Sequence, residues 1–229
     1  MVILGIGAHP DDLDFGASGT FAKWISEGHS CYYLICTDGR KGSDDPKMTE
    51  NKLKRLRKAE QKEAAKILGL KDVFFLNHRD TELAADIKLK KEIVRVLRKL
   101  RPDVVVTLDP TFVYSVNRGF INHSDHRAAG QAALDAVFPL ARDRLTFREL
   151  EKEGLIPHKV KTLYLVSFEN PTEIIDISGT LELKIKALSA HKTQISEEAL
   201  KRIKERAAIL GKKQKIKYAE GFIKLTLPK

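Results

Sequence analysis

Unbroken apolar runs, rather than alternating ones, set the tightest limit on how this chain can fold. VILGIGA (2–8), SCYYLICT (30–37), DVFFLN (72–77), DVVVTL (103–108) and TLYLVS (162–167) each read as a strand with both faces buried. Helical patterns at 17–28, 50–68, 86–100 and 124–142 lie between them. Gly69 stops the second helix, and Arg101-Pro102 stops the third, because the residue before proline avoids helical backbone. The alternation predicts an α/β fold: an open, mostly parallel sheet with helices on both faces. After residue 170 the pattern is less regular, with a strand at 173–177, helices at 180–191 and 196–210, and a strand near 221–227. The 229 residues suffice for one full core. One domain over 1–229 is expected, with a core at 1–145 and a C-terminal α/β extension at 146–229.

Composition narrows the class. With 42% hydrophobic and 31% charged residues the chain is expected to be soluble and globular. No apolar stretch approaches the roughly 20 residues of a membrane span. VILGI has no basic segment before it, so it reads as a core strand and not as a signal peptide. Cys31 and Cys36, an odd number apart in one strand, should fall on opposite faces as buried thiols, which fits a reducing, cytoplasmic compartment. The net charge is +10, and Lys201, Arg202, Lys204, Arg206, Lys212, Lys213, Lys215 and Lys217 face only Glu205 across 200–217. A basic nucleic-acid-binding protein with a non-catalytic metal site is therefore the alternative to an enzyme. Phosphate would be repelled by the carboxylates at the strand ends, which argues against nucleic acid as the partner.

Open α/β sheets bind ligands at the carboxyl ends of their strands. GAHPDDLDFGASG (7–19) follows the first strand, and NHSDHRAAG (122–130) follows the fourth. Strands one and four are expected to be neighbours, so the two groups should converge. A catalytic zinc takes three nitrogen or oxygen ligands and leaves a position for water. His9 and Asp12 can reach one point from a tight turn. His123 and His126, three apart at a helix start, share a face, so that one can bind metal while the other handles charge. Asp11 is left beside them as a candidate base. A helix cap would explain Asp12 or Asp125 singly but not the whole set. GIGAHP is a poor dinucleotide fingerprint, because Pro10 stands at the third glycine and Asp11 and Asp12 repel a pyrophosphate. His29 and His158 lack acidic neighbours and read as structural.

In this order the motifs resemble those of the LmbE-like, or PIG-L, zinc-dependent N-deacetylases. AHPDD with GASGTFAKWISEG, TDGRKGS (37–43), RKAEQKEAAKILG (57–69), RDTEL (79–83), HSDH, KALSAHKTQ (186–194) and AEGF (219–222) carry the likeness over most of the chain. The resemblance implies a Rossmann-like sheet and Zn2+ held by His9, Asp12 and His126. It implies Asp11 as general base, His123 kept charged by Asp125 to stabilise an oxyanion, and Arg57 and Asp80 on the substrate. The implied reaction removes acetate from a small soluble N-acetylglucosamine-type substrate such as diacetylchitobiose. A homo-oligomer, often a hexamer, is implied as well. Asp14 stands where Glu is frequent, Ser124 where Pro is usual, and Arg40 where Glu is frequent. The loops at 38–47 and 109–122 and the region after 170 are expected to choose the sugar. Phe112, Tyr114 and Phe120 there suit either stacking on a ring or packing a subunit contact.

Overall fold

The computed structural model describes residues 1–117, 119–212 and 214–228; Lys213 of the basic stretch lies outside them. The elements run β1 (Val2–Gly7), α1 (Asp12–Ser26), β2 (Ser30–Thr37), α2 (Glu50–Leu68), β3 (Asp72–His78), α3 (Ile87–Leu100) and β4 (Val104–Leu108). A small hairpin of β5 (Tyr114–Ser115) and β6 (Phe120–Ile121) precedes α4 (Ser124–Asp135). Then come β7 (Thr162–Val166), β8 (Glu173–Asp176), α5 (Leu181–Leu188), α6 (Glu197–Lys212) and β9 (Ala219–Thr226).

Seven strands form one sheet in the order β3-β2-β1-β4-β7-β9-β8. The first five are parallel to their neighbours, and β9 runs antiparallel to both β7 and β8. The chain steps outward from β1 to β3, then crosses back to lay β4 on the other side of β1. The carboxyl ends of β1 and β4 therefore flank a switch point, where the sheet opens a crevice. Strands β7, β9 and β8 continue this sheet, so the C-terminal segment shares it with the N-terminal half. One face packs Leu89, Ile93, Ala129 and Ala133 of α3 and α4; the other packs Leu13, Phe21, Ala64 and Ala187 of α1, α2 and α5. Cys36 joins the first layer and Cys31 the second, as their odd spacing requires. No helix among the described residues is long and apolar enough to cross a membrane.

Two helix boundaries differ from the sequence reading. Helix α1 begins at Asp12 and not at 17, because Asp12 and Asp14 favour the positive end of the helix dipole. Its glycines hide the pattern but are needed: a Cβ on Gly16 would lie 2.7 Å from Val166, and one on Gly19 would lie 2.8 Å from Ile177. Helix α4 stops at Asp135 and not at 142, because Pro139 forces Phe138 into extended backbone (φ −145°, ψ 122°).

A buried ion pair fixes α1 to the last strand. Lys184 Nζ on α5 donates to Glu220 Oε1 on β9 at 2.6 Å and to the carbonyls of Asp14 and Phe15. The Glu220 carboxylate also accepts the N–H groups of Gly19 and Thr20. Removing one partner of a buried pair leaves a charge uncompensated. Lys184→Met is expected to lower unfolding free energy by about 3–5 kcal/mol in chemical denaturation. A loss below about 1 kcal/mol, the range of an exposed pair, would contradict this account.

Candidate metal centre

The turn after β1 is closed by its own carboxylate. Asp12 Oδ2 accepts the N–H groups of Ala8 at 2.9 Å and His9 at 2.7 Å. Its other oxygen, Oδ1, is left facing His126 Nε2 at 3.1 Å. His126 sits one turn into α4, and the hairpin before that helix brings Asn122 beneath it. Asn122 Nδ2 donates to the Phe112 carbonyl, so its Oδ1 is the atom that meets His126 Nδ1, at 3.0 Å. Nδ1 therefore carries the ring hydrogen, and Nε2 presents a lone pair towards Asp12.

His9 is oriented in the same way from its far side. Its Nε2 lies 3.0 Å from Asp80 Oδ1 and 3.2 Å from Asp125 Oδ2. Ionised carboxylates only accept, so Nε2 carries the hydrogen and the Nδ1 lone pair points at Asp12 Oδ2, 3.7 Å away. Donor atoms of His9, Asp12 and His126 all lie within 4.8 Å of one another. Lone pairs facing a carboxylate without a hydrogen between them make a seat for a cation. Two imidazole nitrogens and one carboxylate oxygen, with no thiolate, suit a divalent ion such as zinc. The outer hydrogen bonds to Asn122, Asp80 and Asp125 fix ring orientation, as they commonly do around metals. Burial disfavours a charged His9, but Asp12, Asp125 and Asp80 outweigh it and hold the ring well above its ordinary range, so the place between Nδ1 and Asp12 draws positive charge, a proton when no metal ion takes it. Burial likewise pushes Asp12 up, but His126 and His9 hold it well below the usual carboxylate range. A second grouping of His9, Asp80, His123 and Asp125 is as close. Backbone N–H groups occupy its carboxylates: Lys41 on Asp80, and Thr81 and Leu83 on Asp125.

Asp11 stands beside this cluster in a left-handed backbone conformation, with φ 101° and ψ −28°. A residue with a Cβ holds such a conformation at a cost of about 1–3 kcal/mol. Arg57 on α2 braces it: its Nη2 donates to the Pro10 carbonyl at 2.7 Å and to Asp11 Oδ1 at 3.2 Å, and its Nη1 to the Gly39 carbonyl at 3.0 Å. Gly39 (φ +61°) must be glycine here, because a Cβ would lie 2.8 Å from that guanidinium. Burial raises the Asp11 carboxyl to about 6, against the opposing pull of Arg57.

One expected role needs correction. Asp125 does not hold His123 charged: its nearer carboxylate oxygen is 4.0 Å from His123 Nδ1, and its oxygens serve Thr81, Leu83 and His9. His123 Nδ1 instead accepts the backbone N–H of Asp125 at 3.0 Å, capping α4, so the ring hydrogen sits on Nε2. Burial and the neighbouring His9 keep this imidazole below its ordinary range. Arg57 and Asp80 are both buried at the cleft wall, where their hydrogen bonds hold Pro10, Gly39, His9 and Lys41. Sequence reading also missed Asn122 and Gln61. Asn122 adjoins a motif, and Gln61 lies one helical turn after Arg57; spacing was the only signal for either.

The cluster forms the floor of a cleft of about 1100 Å³. Phe112 and Phe120 line it with rings stacked 6.1 Å apart at 10°. Phe168 lines it too, packed edge-on against Phe15 at 5.9 Å. Tyr114 does not line the cleft and is 63% exposed. His158 is structural, bonded to the Pro102 carbonyl at 2.7 Å.

Residues 4–137 match the family model described as PIG-L, GlcNAc-PI de-N-acetylase. The chain is 34% identical over 224 residues to the diacetylchitobiose deacetylase of Thermococcus kodakarensis, covering 96% of this chain and 81% of that one. Its structure resembles that of the N,N'-diacetylchitobiose deacetylase from Pyrococcus horikoshii, with a TM-score of 0.90 and 31% identity over 98% of this chain and 84% of that one. The 4-carboxy-2-hydroxymuconate hydratase from Pseudomonas putida shares the fold at a TM-score of 0.83, with 22% identity over 100% of this chain and 97% of that one. That pairing shows that the sheet alone does not choose the reaction.

Proposed function

Because the chain belongs to the PIG-L family of de-N-acetylases, we infer that it is a hydrolase removing the acetyl group from an N-acetylglucosamine-type amide, releasing acetate and a free amine. The observation that carries the reading is the convergence of donor atoms of His9, Asp12 and His126 beside the half-buried Asp11 carboxyl. His9, Asp12 and His126 would hold the metal, which we take to be Zn2+ on the chemistry of the donors. When bound, it supplies Lewis acidity for the amide carbonyl and an acidified water. Asp11 takes the proton from the attacking water. Its Oδ1 is held by Arg57, which aims the carboxylate. His123 Nε2–H donates to the carbonyl oxygen as negative charge builds there, the kind of contact that strengthens in the transition state. Asp11 then returns its proton to the departing nitrogen, so the glucosamine leaves as an amine.

The test is acetate release after chelation and reloading with zinc, on N-acetylglucosamine, diacetylchitobiose and a phosphorylated N-acetylglucosamine. Zinc-dependent release from at least one is expected. Release only from a non-sugar amide would overturn the sugar assignment. The exposed apolar Val113, Val116 and Ile121 around the 112–121 hairpin support self-association, for which we propose a homo-oligomer, checked by sedimentation.

Phe112 and Phe120 offer a flat apolar surface to a sugar ring at the cleft wall. Phe120→Ala is expected to raise KM for the sugar by roughly tenfold with kcat little changed, the loss of about 1.4 kcal/mol of uniform binding. An unchanged KM would assign the ring pair to a subunit contact instead.

A further inference from the structure

The turn that carries Asp11 is also held from below, by a buried polar chain that the chemistry above does not use. Gln61 is 0% exposed on α2, four residues after Arg57 and on the same face. Its Oε1 accepts the backbone N–H of Asp11 at 3.0 Å. Its Nε2 donates to Asp14 Oδ2 at 2.7 Å. The same Asp14 oxygen meets His191 Nε2 at 2.9 Å. Asp14 and His191 are themselves 0% exposed, and His191 follows α5, so the chain ties together α1, α2 and the C-terminal segment.

The geometry makes a clamp. Arg57 holds the Pro10 carbonyl and the Asp11 carboxylate, while Gln61 holds the Asp11 N–H. The peptide bond entering Asp11 is thus gripped at both its oxygen and its hydrogen. A left-handed backbone on a residue with a Cβ persists only where its surroundings over-determine it. An amide is the side chain that can accept at one end and donate at the other. The Asp14 carboxylate, fixed by His191, decides which way that amide faces.

We propose that Gln61 is a positioning residue for Asp11, with Asp14 and His191 setting its orientation. The proposal rests on the reading of Asp11 as the base. Displacing a catalytic group by about 1 Å costs about 10²-fold in rate.

The test begins with Gln61→Leu, which keeps the bulk and removes both hydrogen bonds. Expected are one metal per chain as in the wild type, an unchanged KM, a kcat for acetate release lowered by roughly 10²-fold, and faster deuterium exchange at the Asp11 amide. Gln61→Glu sets a carboxylate against the Asp14 carboxylate and should lose kcat, whereas Asp14→Asn alone can keep both links by offering its amide oxygen to Gln61 Nε2 and His191 Nε2. Combined, the two changes keep the acceptor for the Asp11 N–H and reverse the other two links: the new amide nitrogen at 14 donates both to the new carboxylate at 61 and to His191 Nε2 in its other tautomer. The double variant is expected to recover kcat to within about tenfold of wild type, an outcome that a role in stability alone does not produce. It also decides the matter if Gln61→Leu fails to fold. An Asp11 amide no less protected in Gln61→Leu, a kcat unchanged in that variant, or no recovery in the double variant each overturns the proposal. A wild-type enzyme inactive on every sugar amide overturns the deacetylase reading as well; an active wild type with an unimpaired Gln61→Leu overturns the positioning alone.

Discussion

His126→Ala is expected to leave the purified protein without stoichiometric metal and to reduce acetate release to background. The imidazole supplies one of three donors, and it does so from α4, across the crevice from the turn that supplies the other two. Nothing else on α4 takes its place: His123 Nδ1 is occupied by the Asp125 N–H, and the Asp125 carboxylate is turned towards His9, Thr81 and Leu83. The outer contact gives a graded comparison. Asn122→Ala removes the acceptor that fixes the His126 tautomer, and it should weaken metal binding by roughly 10–100-fold without abolishing it. Elemental analysis and competition with a chromogenic chelator measure both. Full occupancy in His126→Ala would sink the ligand assignment, and equal affinities for Asn122→Ala and wild type would remove the outer-contact argument.

Asp11→Asn is expected to separate metal binding from turnover. Asparagine keeps the size and can still accept from Arg57, and position 11 contributes no donor to the cluster. Metal content and KM should therefore stay near wild type. The rate should fall by roughly 10²–10⁴-fold, the usual worth of a positioned acid or base. The affinity of the variant for zinc is the internal control, because a folding defect would lower both. Turnover within about threefold of wild type would move the proton transfer to another group, since the expected fall begins at 10².

How far these features could be read from the chain differs from element to element. The strands were legible because VILGIG and VVVTL are buried on both faces, which leaves a contiguous apolar signature. The neighbourhood of β1 and β4 followed from topology, and it brought His9 and His126 to one crevice from positions 117 apart. What stayed hidden was competition for hydrogen bonds. Spacing shows that His123 and Asp125 are near each other, but the Asp125 oxygens are taken by the backbone N–H groups of Thr81 and Leu83, which lie more than 40 residues upstream. Arg57 is a charged residue in an amphipathic helix, yet three carbonyl and carboxylate oxygens draw it inward. Gln61 carries no charge and stands in a run of Lys and Glu, so nothing in its neighbours marks it as buried.

The place of β9 in the sheet sets an order on biosynthesis. A ribosome delivers His9 and Asp12 before the HSDH segment, and that segment before Lys184 and Glu220. Helix α1, which starts at Asp12, is pinned by Lys184 and Glu220, and Glu220 lies 208 residues after Asp12. Strand β7 meanwhile stays an open edge until β9 arrives to cover it. A nascent chain can thus display every metal donor while still lacking both the residue that anchors their helix and the strand that seals the sheet. Within this sequence, the helix that carries Asp12 is pinned by residues translated more than 160 positions after it.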